Sequence, residues 1–282
     1  MPIPALPVNR FFLSPQESGF PAGELYFGGE TMFKQKSLIL IPALTFAFVF
    51  GSAEDVHAMH IMEGYLPLQY SAIWSVVCIP FLAAGIFSIK KIVEQNRKTL
   101  LILVMVGAYA FVLSALKIPS VTGSSSHPTG TGLGAILFGP LAMCVIGIIV
   151  LLFQAILLAH GGLTTLGANT FSMAVAGPFV AYGVYLVCKK INLPGSAGIF
   201  LAASIGDLFT YIVTAFQLAL AHPSVTGGFS ESFAAFLGIF AVTQVPLAII
   251  EGLLTVVVIK GLEAYAKPEL AELSYFEGGV LR

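Results

Sequence analysis

Between Lys117 and Lys189 lie 71 consecutive residues without a single Asp, Glu, Lys or Arg. A soluble domain coats itself with about 25% charged residues, and no water-facing surface can be built from such a stretch. The whole chain is 57% hydrophobic and only 10% charged. It reads as an all-α polytopic membrane protein and not as a soluble enzyme. The net charge of -1 leaves no basic excess to neutralise phosphates, which excludes nucleic acid as a partner. Cys78, Cys144 and Cys188 sit singly in apolar runs, without CxxC spacing, and read as small hydrophobes in helix packing.

From Met32 a short basic stretch (Lys34, Lys36) leads into the apolar run Leu38 to Phe50, and Val56 and Ala58 then stand as small residues before Met59. This is the layout of a secretory signal peptide. The run is short for a span of roughly 20 residues, so the expectation is cleavage after Ala58, with an uncleaved anchor helix as the alternative. Residues 1–31 read as an over-extended start, 32–58 as the signal, 59–267 as the transmembrane domain and 268–282 as a cytoplasmic tail.

The apolar segments that follow are Leu68 to Ile89, Thr99 to Leu116, Leu133 to Ala159, Ala168 to Cys188, Ala197 to Ala221 and Phe233 to Ile259. Six crossings from an outside N-terminus leave only four of the ten Lys and Arg residues after Met59 in the cytoplasm. If Leu133 to Ala159 enters as a short piece, turns near Gly139-Pro140 and returns as a helix, there are seven crossings. Nine of the ten basic residues then lie inside, as the positive-inside rule requires. A short or irregular piece is tolerated only where protein or a watery cavity surrounds it. The expected N-terminus at Met59 and the loop Ile118 to Thr131 then share the outer face, with the C-terminus in the cytoplasm.

A chain opening Met59-His60 carries a chelate in its first two residues. The α-amine, the deprotonated amide of His60 and its imidazole close fused five- and six-membered rings around one ion. These nitrogens are held nearly in a plane, and a fourth completes a square of the kind that suits Cu(II), Ni(II) or low-spin Co(II). His127 is the candidate fourth ligand and the only histidine of the outer loop. Taken one at a time, a second-position His or a loop His is an ordinary surface residue; processing and topology together put both on one side. His160, beside Gly161 and Gly162, reads as a polar cap at a helix end, His222 as a loop residue, and His57 as discarded with the signal. Gln154, Asp207, Gln217, Gln244 and Glu251 fall at membrane depth, where Asp207 and Glu251 read equally as an ion path or as interhelical hydrogen-bonding groups. The small pair Ala110 and Ser114 permits a close helix contact, within the chain or with a partner subunit. There is no GxxxxGK[ST] phosphate loop, so the chain cannot itself couple ATP hydrolysis to movement. No HExxH motif or nucleophile-base pair supports an intramembrane enzyme.

The run Met59 to Pro67 (MHIMEGYLP), Leu113 to Gly123 (LSALKIPSVTG) continuing into Ser126-His127-Pro128-Thr129-Gly130, Leu151 to Ala155, Ala159 to Asn169 (AHGGLTTLGAN), Thr243 to Pro246 and Glu251 to Val256 closely resemble the CbiM/NikM family, the metal-specific components of energy-coupling factor (ECF) transporters. The resemblance implies an ECF-type helical bundle that takes up Co(II), or in the nickel relatives Ni(II), across the bacterial inner membrane for cobalamin synthesis. It implies a CbiN-like small membrane protein, a CbiQ-like coupling subunit and a CbiO-like ATPase as partners. The ligand roles of the family fall on Met59, His60 and His127, with Ser126 and Asn169 as supporting residues. A secondary ion transporter working through Asp207 and Glu251 is the rival from another class.

Overall fold

In hydrocarbon every backbone N–H and C=O must be paired within the protein, and an apolar segment achieves this by closing its own i to i−4 bonds. The computed structural model of the chain describes residues 57–58, 60–95, 97–116, 118–119 and 124–273. Met59, most of the expected signal and the end of the expected tail lie outside the described residues. The helices run in the order α1 (Leu68–Gln95), α2 (Thr99–Ala115), α3 (Thr131–Phe138), α4 (Pro140–Leu158), α5 (Leu166–Lys190), α6 (Gly195–Ala221), α7 (Gly228–Tyr265) and the short α8 (Lys267–Glu272). Among the described residues five, α1 and α4 to α7, are long and apolar enough to cross a membrane. The 17 residues of α2 reach about 25 Å at 1.5 Å per residue.

The break expected at Gly139-Pro140 is present. The eight-residue α3 stops at Phe138, Gly139 takes a φ of 82°, and Pro140 opens α4 at a first-turn position that needs no N–H. All eight residues of α3 are buried, which is the surrounding that lets a short helix exist at membrane depth. The loop before it already travels inward. Gly130 lies against Ala110, five residues or about 7.5 Å from the end of α2. Gly130 has φ +68°, and a Cβ there would stand 2.8 Å from Ala110 Cα, so both backbone sign and space call for glycine.

The bundle is apolar outside as well as inside. Leu68, Phe87, Leu101 and Val257 are exposed, whereas Gln154, Gln217, Gln244 and Glu251 are buried. Ala110 and Ser114 are buried too, and Ser114 Oγ takes the Gln154 amide of α4. That small pair therefore serves packing within the chain. α6 packs along both α5 and α7, and α5 carries a π-helical stretch over Thr170–Ala176, a local widening that in many helices marks a functional position. At the end of the bundle where α1, α3, α5 and α7 begin, the loops make short extended pairings. His57–Ala58 (β1) runs parallel to Ser124–Ser126 (β3), which pairs antiparallel with Ile118–Pro119 (β2).

Gly130→Ala is expected to lower the thermal midpoint of the detergent-solubilised protein, since the left-handed backbone alone costs a Cβ-bearing residue about 1–2 kcal/mol. Gly183→Ala, whose added methyl meets nothing within 4 Å, serves as the control. A midpoint that moves as little for Gly130 as for Gly183 would mean that the loop does not enter the bundle where described.

Candidate metal centre

Three histidines from three distant stretches of sequence converge beneath these loops. His60 precedes α1, His127 lies in the loop before α3, and His160 follows α4. Their ring centroids stand 4.7 Å (His60 to His127), 4.5 Å (His60 to His160) and 4.9 Å (His127 to His160) apart. All three are buried, and one ring nitrogen from each lies within 4.8 Å of the other two.

The chemistry of His127 is set by its neighbour. Its Nδ1 lies 3.0 Å from the Pro128 carbonyl, and a carbonyl only accepts, so Nδ1 carries the hydrogen and Nε2 presents its lone pair. That Nε2 is 2.8 Å from His60 Nδ1, which donates to it. Two nitrogens bound at about 2.0 Å to one ion stand about 2.8 Å apart at a right angle and about 3.3 Å apart at the tetrahedral angle. The length of this hydrogen bond is also the spacing that neighbouring corners of a square would have.

Both ligand segments are held from behind. Asn169, in the first turn of α5, accepts the Ile61 N–H with Oδ1 at 2.9 Å and donates from Nδ2 to the Ile61 carbonyl at 3.1 Å. Thr165 donates its hydroxyl to the same carbonyl. The residue after His60 is thus clamped at both polar groups, which sets the direction of the His60 side chain. Three residues on, the Glu63 carboxylate accepts the Thr164 N–H at 3.1 and 3.3 Å. The hydroxyl and then the backbone of Thr164 hold this exposed carboxyl below its ordinary range.

The His127 loop hangs on α6 and α7. Tyr211 donates its hydroxyl to the His127 carbonyl at 2.6 Å, and Gln244 reaches the same oxygen at 3.4 Å. The Thr129 N–H is shared between Glu251 Oε2 at 2.5 Å and Asp207 Oδ1 at 3.2 Å, and the Thr129 hydroxyl donates to Glu251. The Gln244 amide binds the other Asp207 oxygen. Asp207 and Glu251, which the sequence left between an ion path and a hydrogen-bonding role, are hydrogen-bonding anchors of the loop in this arrangement. Ser126 bonds the Thr243 hydroxyl of α7, so it too ties down the loop.

His160 corrects the sequence reading. Its backbone N–H, bonded to the Gln154 carbonyl at 3.1 Å, closes the end of α4 without help from the ring, and the ring instead enters the histidine cluster. The signal available in the sequence was a histidine between a helix end and two glycines, and helix-end polarity explained it equally well. His222 is more than a loop residue, since its Nε2 donates to the Tyr65 carbonyl at 2.9 Å and its ring packs on Tyr65, which joins the end of α6 to the turn before α1.

Residues 60–270 match the family model described as CbiM, cobalt uptake substrate-specific transmembrane region. The chain belongs to the CbiM family. It is 62% identical over 249 residues, 88% of this chain and 100% of the relative, to the cobalt transport protein CbiM of Lachnoclostridium phytofermentans. To the protein of the same name from Chlorobium limicola it is 63% identical over 212 residues, 75% of this chain and 84% of that one. Among solved structures, a transition metal transporter aligns with a TM-score of 0.64 at 26% identity, covering 73% of this chain and 92% of the other. A truncated transition metal transporter aligns at 0.63 and 27% identity, covering 73% and 99%. With its apolar helices, this CbiM family member is a multi-pass membrane protein and a component of metal transport.

Two outcomes are expected. Asn169→Ala removes both bonds to Ile61 and should weaken metal binding about 10–100-fold, the range for changes just behind a ligand, as read by isothermal titration; an unchanged affinity would mean that the clamp does not orient His60. For Glu63 the folded carboxyl titrates below the unfolded one, so its stabilisation is present above the ordinary carboxylate range and is lost as pH falls through the lowered folded value. The thermal midpoint of the native chain should therefore exceed that of Glu63→Gln at neutral pH and converge with it in acid. A gap that stays constant across that pH range would show that the carboxylate charge does not matter.

Proposed function

We propose that this CbiM family member is the substrate-specific membrane component of an ATP-driven, ECF-type importer that captures Co(II) at the outer face of the bacterial inner membrane and supplies it for cobalamin synthesis. The observation that carries this reading is the 2.8 Å approach of His127 Nε2 to His60 Nδ1, the spacing of adjacent ligands around a planar ion. Cleavage after Ala58 would give Met59 a free amine. That amine, the amide nitrogen and Nδ1 of His60, and Nε2 of His127 then form the planar four-nitrogen set. The pairing of His57–Ala58 with Ser124–Ser125 keeps the segment before the cleavage point on the same loop that carries His127. Processing would therefore cut next to a segment that pairs with that loop.

The chain contains no phosphate-binding motif, and the energy comes from a CbiO-like ATPase acting through a CbiQ-like coupling subunit, with a CbiN-like small membrane protein as a further partner. In this assembly the N-terminus is outside, the C-terminus is cytoplasmic, and seven crossings include the buried α3. Ser126 and Asn169 act as supports to the ligands and do not bind the ion themselves.

N-terminal sequencing of membrane-extracted protein, with metal analysis of the same sample, is the direct test. A chain beginning at Met59 and holding about one Co(II) is expected, together with a loss of affinity of more than about 100-fold for His127→Ala, beyond the range of outer-shell changes. Nickel in place of cobalt would assign the chain to the nickel-specific components. A chain that retains residues before Met59 and binds as tightly would overturn the amine-based site.

A further inference from the structure

The proposed plane is full before His160 is considered, because the amine, the amide and two imidazoles occupy its four corners. From the position of the third imidazole we infer that His160 is a fifth, axial ligand that favours Co(II) over Ni(II). The inference rests on the planar site proposed above.

Three observations carry it. The first is ring orientation. His60 and His127 are inclined to each other by 33°, whereas the His160 ring stands at 49° and 68° to them. The third ring is inclined more to each of the two than they are to each other, so it does not continue the plane that they approach.

The second is the backbone that delivers the ring. Ala159 has φ 46° and ψ 41°, a left-handed conformation that is strained for a residue with a Cβ and usual for glycine after a helix. Glycine is present two residues later instead. Gly161, at φ +79°, lets the turn close until an added Cβ would be 3.3 Å from His60 Cβ. The strain at Ala159 and the tight turn at Gly161 together push residue 160 into the cluster, and its backbone N–H alone completes the helix end.

The third is which side is covered. A small cavity against His60 and His127 is walled by Thr129, Ser172, Met173 and Tyr211, and His160 is not part of that wall. His160 thus meets the pair away from that cavity. The 4.8 Å spread of the three ring nitrogens is wider than the roughly 3 Å between adjacent ligands of one ion. Coordination by His160 would therefore require a side-chain rotation toward the other two rings.

The selectivity follows from electron count. Low-spin d8 Ni(II) in a square of strong nitrogen donors has a filled axial orbital and gains little from a fifth donor. Low-spin d7 Co(II) has one electron in that orbital and accepts an axial nitrogen. The same orbital provides the readout, because its electron couples to an axial 14N and hardly to the four planar ones.

The test uses the full, processed chain in detergent, loaded anaerobically with Co(II) alone or Ni(II) alone, and compares it with His160→Gln, which keeps a polar side chain of similar reach. The native cobalt spectrum in electron paramagnetic resonance is expected to show each cobalt line split into three by one axial nitrogen, and His160→Gln to lose that splitting. Cobalt affinity should fall about 10–100-fold in the variant while nickel affinity changes less than about 3-fold, scaled to the range known for changes around metal ligands. A native spectrum without the splitting, a splitting that survives in His160→Gln, or equal losses for both ions would overturn the axial role. Should the native chain fail to bind cobalt, or bind it independently of His127, the planar site itself is wrong. Should it bind through His127 without the splitting, only the role of His160 falls.

Discussion

A loop that enters the interior of a membrane protein must have its backbone polar groups paired, because neither lipid nor packed apolar side chains will do so. The segment from Ser126 to Gly130 meets this demand with side chains of α6 and α7. The Thr129 N–H goes to Asp207 and Glu251, and the His127 carbonyl to Tyr211 and Gln244. An unpaired buried group costs about 1–3 kcal/mol, so the loop stays where these four residues are. The position of His127, the start of α3 and the seam between α6 and α7 all depend on that arrangement.

The histidine cluster follows from the same economy of polar groups. Its histidines come from before α1, before α3 and after α4, and each is aimed by a different device: Asn169 and Thr165 gripping Ile61, the Pro128 carbonyl fixing the tautomer of His127, and the turn Ala159 to Gly162 carrying His160 inward. The first of these is remote in sequence, Asn169 and Thr165 gripping a residue more than 100 positions earlier. A site built this way is sensitive to helix displacement, since a shift of α5 or of the α6–α7 pair moves one imidazole relative to another. That is a property a transport component can use when it must hold an ion and later let it go.

Much of the architecture could be read before any coordinates. The uncharged stretch, the hydropathic segments and the Gly139-Pro140 break lead to a helical bundle with one short buried piece, and the boundaries of α1 to α7 lie within a few residues of the apolar runs, apart from the charged ends of α1 and α7. The juxtaposition of His60 and His127 could be expected because a second-position histidine after the expected processing site has a specific chelating chemistry and the topology put the His127 loop on the same side. That of His160 could not, because a histidine after a helix is explained by its local setting, and nothing local reports that a residue 100 positions earlier folds against it. Asp207 and Glu251 stood open for the same reason: an acid at membrane depth needs a partner, and that partner was a threonine backbone on a remote loop. Ala110 and Ser114 likewise allowed an external or an internal neighbour until Gly130 and Gln154 occupied the space.

By itself the sequence determined the solvent in which this protein lives, the length and number of its apolar elements, where one of them breaks, and which residue types were available to hold a metal. Those properties depend on composition and on neighbours along the chain. Only the tertiary structure decided that three imidazoles converge, that the acids anchor a loop, and that a nitrogen of His60 stands 2.8 Å from one of His127. These depend on the packing of helices separated by tens of residues, and pairing distances of that kind are set by the summed fit of whole helix faces, which no local pattern encodes.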